Sequence, residues 1–319
     1  MANAPNAFNE PNALNAVNEL NDLNVPNVPN RTDKLGGCNH MKLKKSIEKA
    51  KQQREEVVQK ITEEATSPEK KESFISDKTM PSNGWNPPVY CESCSIHLDP
   101  GKLAQNRCVS MFPDTKDAEY YKVLQTNIQQ RAKEKNWNTI MITSTQPGEG
   151  KTFTSINLAA AFAKEFNQTV LLVDCDLRRQ SVHKYLDYEF DKGIVDYLVN
   201  GCSLKDIIVW PNIEKLTLIS GGKTISNSTE LMGSPRMKAL VQEIKHRYDD
   251  RYVIFDVPPI LAGADAIAFA PLMDGIIMVV EEGRTSIKDV KRALEMIPTE
   301  KFLGYVLNRR KTAMHGYYY

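Results

Sequence analysis

The residues best suited to chemistry cluster between 145 and 179. The stretch Thr145-Gln-Pro-Gly-Glu-Gly-Lys-Thr152 follows a short apolar run, TIMITS at Thr139–Ser144, and precedes a helical pattern from Thr152 to about Phe166. Gly148 and Gly150 let the backbone turn so that its N–H groups converge on phosphate oxygens. The helix N-terminus adds partial positive charge at the same place. Lys151 is placed to neutralise β and γ phosphates, and the Thr152 hydroxyl to bind Mg²⁺. Gly148, Glu149, Gly150, Lys151 and Thr152 together read as an ATP-binding loop. Thr145 stands where the usual Walker A pattern has its first glycine, so the loop is a variant.

Three carboxylates answer this loop. A second apolar run, TVLLVD at Thr169–Asp174, ends in Asp174-Cys-Asp-Leu-Arg-Arg179. Asp174 and Asp176 therefore project from a strand end beside the phosphates. A further run ends in Phe255-Asp256-Val-Pro-Pro259, where Asp256 reads as a Walker B carboxylate that holds Mg²⁺ through water. Asp176 and Asp256 are placed to hold the metal's waters, and Asp174 to accept a proton from an acceptor group. Asp174 and Asp176 remain interchangeable at this level. Arg178 and Arg179 suit a phosphate, a neighbouring subunit or plain solvent equally well.

These side chains need a scaffold of strand ends. β-branched runs at 139–144, 169–174, 216–220, 252–256, 275–280 and 302–307 alternate with helical patterns. Near-continuous apolar strands separated by helices predict an α/β fold with a doubly wound, mostly parallel sheet over residues 101–311. Ligands in such sheets sit at the carboxyl ends of the strands.

The rest of the 319 residues divides by texture. Residues 1–40 repeat Asn at every third position from Asn3 to Asn30, a period matching neither helix nor strand, and are expected to be a disordered low-complexity tail upstream of a start at Met41. Residues 41–72 are predicted as a charged amphipathic helix with Leu43, Ile47, Ala50, Val57 and Ile61 near one face. Residues 73–100 hold Pro81, Gly84, Pro87, Pro88 and Pro100 and read as a linker. Cys91, Cys94, His97 and Cys108 are too loosely spaced for a convincing zinc site. Residues 312–319 form a tail ending in Tyr317, Tyr318 and Tyr319, out of 12 tyrosines in all.

Lys plus Arg is 41 and Asp plus Glu is 40, so the net charge of +1 offers no basic surplus for nucleic acid. The best apolar stretch, 260–280, is broken by Asp265, Pro271 and Asp274, so no membrane span is expected. Six cysteines and no signal sequence suit a reducing cytoplasm.

PGEGKT at 147–152, LLVDCDLRR at 171–179 and VIFDVPP at 253–259 resemble the motifs of bacterial tyrosine autokinases, P-loop enzymes of the ParA/MinD-like superfamily linked to exopolysaccharide and capsule export. The match spans roughly residues 100–319. The second motif is similar to their additional Walker A′ element. Asp265-Ala266, Asp274-Gly275, and Ser228-Thr-Glu-Leu231 followed by Ser234-Pro-Arg236, in the switch region, also fit the family. Asn308, at the end of the last predicted strand, resembles the residue that reads adenine. The Lys/Glu-rich start after Met41 resembles soluble kinases of exosortase-type polysaccharide systems.

The resemblance implies ATP and Mg²⁺ as cofactors. It implies autophosphorylation at Tyr317, Tyr318 and Tyr319, and because these acceptors lie at the chain end, transfer is expected between subunits of a homo-oligomer. It implies a separate chain-length-determinant membrane protein as activator, and peripheral attachment to the inner face of the membrane. One departure stands out. The family's Glu-x-x-Arg-x-x-Arg, which supports a ring of subunits, corresponds to Glu119, Lys122 and Gln125, and Lys122 lacks arginine's bidentate fork. The competing reading is a MinD/ParA-like positioning ATPase. Gln146, where partitioning relatives carry an extra lysine, and the tyrosine tail disfavour it. A nucleotide-gated scaffold is disfavoured by the complete set of acidic residues. A GTPase is disfavoured by Asn308-Arg-Arg-Lys311, which lacks the guanine-reading pattern.

Overall fold

In the computed structural model, residues 94–310 are described, apart from 113, 114 and 249. Eight strands form one sheet: β1 (Cys94–Ser95), β2 (Thr139–Ser144), β3 (Thr169–Asp174), β4 (Ile208–Trp210), β5 (Leu216–Ile219), β6 (Arg251–Asp256), β7 (Gly275–Glu281) and β8 (Phe302–Asn308). Their order is β1-β4-β5-β3-β6-β2-β7-β8. Every neighbouring pair is parallel except β4 with β5.

The helices are α1 (Pro100–Gln105), α2 (Lys116–Lys135), α3 (Lys151–Ala163), α4 (Val182–Leu186), α5 (Ser228–Met232), α6 (Pro235–His246), α7 (Asp265–Phe269) and α8 (Ile287–Leu294). Side chains alternate across each strand, so neighbours in sequence enter opposite layers. Ile140 and Ile142 of β2 pack with Ile128 of α2 and with Ile156 and Phe162 of α3. Met141, between them, faces the other layer with Met237, Leu240 and Val241 of α6 and Phe269 of α7. All six residues of β2 and of β3 are buried, which explains their unbroken apolar runs.

Local signals set the ends of the helices. The Thr115 hydroxyl accepts from the Ala118 N–H to start α2, and Asn136 closes it in a left-handed turn. Ser234 caps α6, which begins at Pro235. The helix expected over 152–166 runs over Lys151–Ala163 instead. Near its end the Phe162 carbonyl accepts from Gln168 Nε2, and in the turn that follows the Glu165 carbonyl accepts from Lys215 Nζ.

Two strands escaped the sequence. Ile208–Trp210 is only three residues long and reverses direction. Cys94–Ser95 lies within the expected linker 73–100, yet it pairs in parallel with β4 as Cys94↔Val209 and Ser95↔Trp210. Residues 94–95 of that linker are thus built into the sheet, and α1 begins at Pro100 behind the Asp99 cap. The tail 1–40, the helix predicted over 41–72 and the tyrosine tail 312–319 lie outside the described residues, as does Cys91. Cys94 is exposed while Cys108 is buried. Among the described residues no helix is long and apolar enough to cross a membrane.

Candidate active site

The three central strands β3, β6 and β2 stand side by side, and their carboxyl ends bring the site together. β2 runs into the loop 145–150, and α3 starts at Lys151. Gly148 and Gly150 adopt φ of 89° and 98°, a region closed to most side chains. β3 and β6 pair with Asp174 opposite Asp256, so two carboxylates emerge on adjacent strands.

Lys151 is the hub. Its Nζ lies 3.0 Å from Asp176 Oδ2 and 3.2 Å from Asp256 Oδ2. Thr152 donates from its hydroxyl to Asp256 Oδ2 at 2.6 Å and lies 2.8 Å from the Ser181 hydroxyl. Ser155, on the same face of α3, reaches Asp256 Oδ1 at 3.2 Å. Burial alone would lower the Lys151 pKa. Asp256, then Asp176 and Asp174, outweigh it and hold the ammonium above the ordinary lysine range.

Asp174 is turned the other way. Its Oδ1 accepts the Asp176 N–H at 3.1 Å, and its Oδ2 accepts those of Ser181 and Val182 at 3.0 and 3.1 Å. It therefore folds the loop 175–182 around itself. Burial, then the neighbouring Asp256, pushes its pKa up to about 7 against the pull of Lys151. Burial also raises Asp256, which Lys151 and Thr152 offset in part.

The Glu149 side chain turns into its own loop, where Thr145, Gln146 and Thr285 donate to it. Only its backbone is left to face a ligand. Asn308, the expected adenine reader, sits at the loop as well, with Nδ2 donating to the Glu149 carbonyl at 2.8 Å. Arg178 forks onto Asp265 from α7, with Nε to Oδ2 at 2.9 Å and Nη2 to Oδ1 at 3.1 Å. Ser228 and Thr229 of α5 donate to the same carboxylate. The second basic residue, Arg179, is exposed. On α2, Gln125 is buried and donates to Gln129, so it faces the domain interior, whereas Glu119 and Lys122 are exposed.

Thus Lys151, Thr152, Asp176 and Asp256 meet within one cluster, with Asp174 beside them and Gly148, Glu149, Gly150 and Asn308 along the loop. Tyr317, Tyr318 and Tyr319 lie outside the described residues. Sequence reasoning missed Ser155, Ser181 and Thr285. Ser155 had a signal, since it stands one helical turn beyond Lys151. Thr285 had none, because its loop meets residue 149 only through the fold.

Residues 137–302 match the family model described as an AAA domain. The chain is 35% identical over 230 residues to the tyrosine-protein kinase YwqD of Bacillus subtilis (strain 168), covering 70% of this chain and 96% of that protein. It is 34% identical over 205 residues to the tyrosine-protein kinase CpsD of Streptococcus agalactiae, covering 63% and 87%. Among solved structures, the chimerical protein CapA2B2 superposes with a TM-score of 0.60 at 28% identity, covering 71% of this chain and 96% of that one. The kinase domain of Escherichia coli tyrosine kinase ETK gives 0.56 at 30% identity, covering 63% and 80%. With the phosphate loop, the three strand-end carboxylates and these likenesses in place, the chain belongs to the bacterial tyrosine-protein kinases, a family of P-loop enzymes.

Proposed function

We propose that this kinase transfers the γ-phosphoryl group of ATP to its own C-terminal tyrosines, Tyr317, Tyr318 and Tyr319, one subunit acting on the tail of another. The observation that carries the reading is Lys151, held between Asp176 and Asp256 beside the Thr152 hydroxyl. One ammonium and hard oxygen donors around it suit a metal-bound triphosphate.

Each residue then has a task. The N–H groups of Gly148, Glu149 and Gly150 receive phosphate oxygens. Lys151 shifts from the carboxylates toward the β and γ phosphates. Thr152, Asp176 and Asp256 suit Mg²⁺, which when bound supplies charge neutralisation on the phosphates. Asp174 takes the phenol proton; a phenol with a pKa of about 10 needs such a base near neutral pH. Asn308 orients the adenine.

The tail is rooted close by. Asn308 touches the loop, and six residues separate Arg310 from Tyr317. At about 3.3–3.6 Å per residue that is a short tether. A tail so placed suits exchange between adjacent subunits of a homo-oligomer, in which Gln125 takes no part because it is buried. The same reading assigns the kinase to regulation of exopolysaccharide or capsule polymerisation and export. A chain-length-determinant membrane protein would then activate it at the inner face of the membrane.

A mixing experiment tests the transfer. Lys151→Met with an intact tail is combined with an active chain ending at Gly316. Phosphotyrosine on the Lys151→Met chain is the expected result. No label on the Lys151→Met chain in this mixture, while the unaltered protein labels itself, would overturn transfer between subunits. ATP hydrolysis with no phosphotyrosine, activator included, would favour the positioning ATPase.

A further inference from the structure

Glu149 is 1% exposed, yet no cation faces its carboxylate among the described residues. Neutral donors hold it. The Thr145 hydroxyl lies 2.6 and 2.7 Å from its two oxygens, the Gln146 N–H donates at 2.9 Å, and the Thr285 hydroxyl donates at 2.5 Å. Thr285 Oγ1 also accepts the Glu281 N–H at 2.8 Å, and its one proton goes to Glu149, whose carboxylate oxygen is the acceptor. Thr145 is the residue that replaces a glycine in the usual loop, and here its hydroxyl has a use. The Glu149 carbonyl meanwhile accepts from Asn308.

A buried anion next to a triphosphate site is a hazard, since like charges repel strongly where water is scarce. Left loose, this carboxylate could swing toward the phosphates. From these contacts we infer that Thr145, Glu149 and Thr285 form a clasp. It sets the phosphate loop before ATP arrives and holds the Glu149 carboxylate in its inward turn, on Thr145, Gln146 and Thr285. Thr145 and Thr285 are positioning residues, acting through Glu149 on the loop amides. The clasp also ties the turn after β7 to the phosphate end of the site. This inference rests on the ATP-site reading above.

The test compares Thr285→Val, which removes the donated proton at nearly constant volume, with Thr285→Ser, which keeps it. Loss of one hydrogen bond to a charged group should raise the KM for ATP about tenfold, with kcat within about twofold of wild type. Thr285→Ser should return KM to the wild-type value. Inorganic tripolyphosphate, which has no base, should compete with ATP about tenfold less well against Thr285→Val, in parallel with KM. A Thr285→Val chain with a lower Tm but an unchanged KM would overturn the clasp. So would a KM effect absent with tripolyphosphate, which would place Thr285 at the nucleoside end. The underlying reading is checked separately. Wild type that fails to bind ATP, or Lys151→Met that retains activity, would refute the ATP site itself rather than the clasp.

Discussion

Asn308, the last residue of β8, fills the space that a side chain on Gly150 would need. Any Cβ at Gly150 would run into its amide, and Gly150 also holds a φ of 98°. The phosphate loop is therefore shaped as much by the far edge of the sheet as by its own glycines.

Gly150→Ala should accordingly fail twice. The left-handed backbone alone costs about 1–2 kcal/mol before the collision is counted, so ATP affinity should fall by at least about tenfold. Isothermal titration with ATP reads the single variant. Adding Asn308→Gly should recover the part due to the collision and leave the part due to φ when inorganic tripolyphosphate, which has no adenine for Asn308 to orient, is the titrant. Equal affinity of the single variant and wild type would refute this packing.

The kinase rate should climb with pH and reach half its plateau near pH 7. Asp174 carries a pKa of about 7, and as a base it works only when ionised, so acid silences it. Asp174→Asn should lose the ascending limb together with most of the rate. A flat profile from pH 6 to 8 in wild type, with transfer rate-limiting, would take the role of base away from Asp174.

Asp274 offers a stability measurement remote from the chemistry. Burial works against its charged form. The Lys245 ammonium at 2.5 Å and the N–H groups of Asn138 and Thr139 overcome this and hold its pKa below the ordinary 3.8. A carboxyl depressed on folding stabilises fully above its unfolded value and loses that contribution as pH falls through its folded value. Asp274→Asn should cost about 1–3 kcal/mol at pH 7. The gap to wild type should close below the ordinary carboxylate range. Urea unfolding at pH 7 and at acid pH checks the sign.

Arg178 and Asp265 should couple. Asp265 is buried with Ser228 and Thr229 donating to it, whereas the Arg178 side chain is about half exposed, so solvent weakens the pair. A double-mutant cycle on Arg178→Ala and Asp265→Asn should return about 1–2 kcal/mol of coupling. Independent effects would mean that the loop after β3 is not anchored on α5 and α7.

The sheet was largely legible in the sequence because β2, β3, β5, β6, β7 and β8 are apolar along most of their length. A strand buried on both faces, as β2 and β3 are, announces itself, whereas β8 at the sheet edge is partly exposed and was read from its apolar run alone. β4 and β1 were not legible, since three and two residues offer no periodicity to read. The cluster around Lys151 was legible because loop, strand end and chemistry occur within short stretches of chain. The inward turn of Glu149 was hidden: its partner Thr285 lies 136 residues away. Arg178 was ambiguous for the same reason, because Asp265 is 87 residues distant.

The pairing of Cys94–Ser95 with β4 has a practical corollary for anyone trimming the protein. A version begun at residue 101, where the texture of the sequence changes, would strip that short segment away. The outer rim of β4 would then present unpaired N–H and C=O groups, an invitation for copies to stick to one another. Clumping of such a shortened protein would report the cut and say nothing of how kinase subunits assemble.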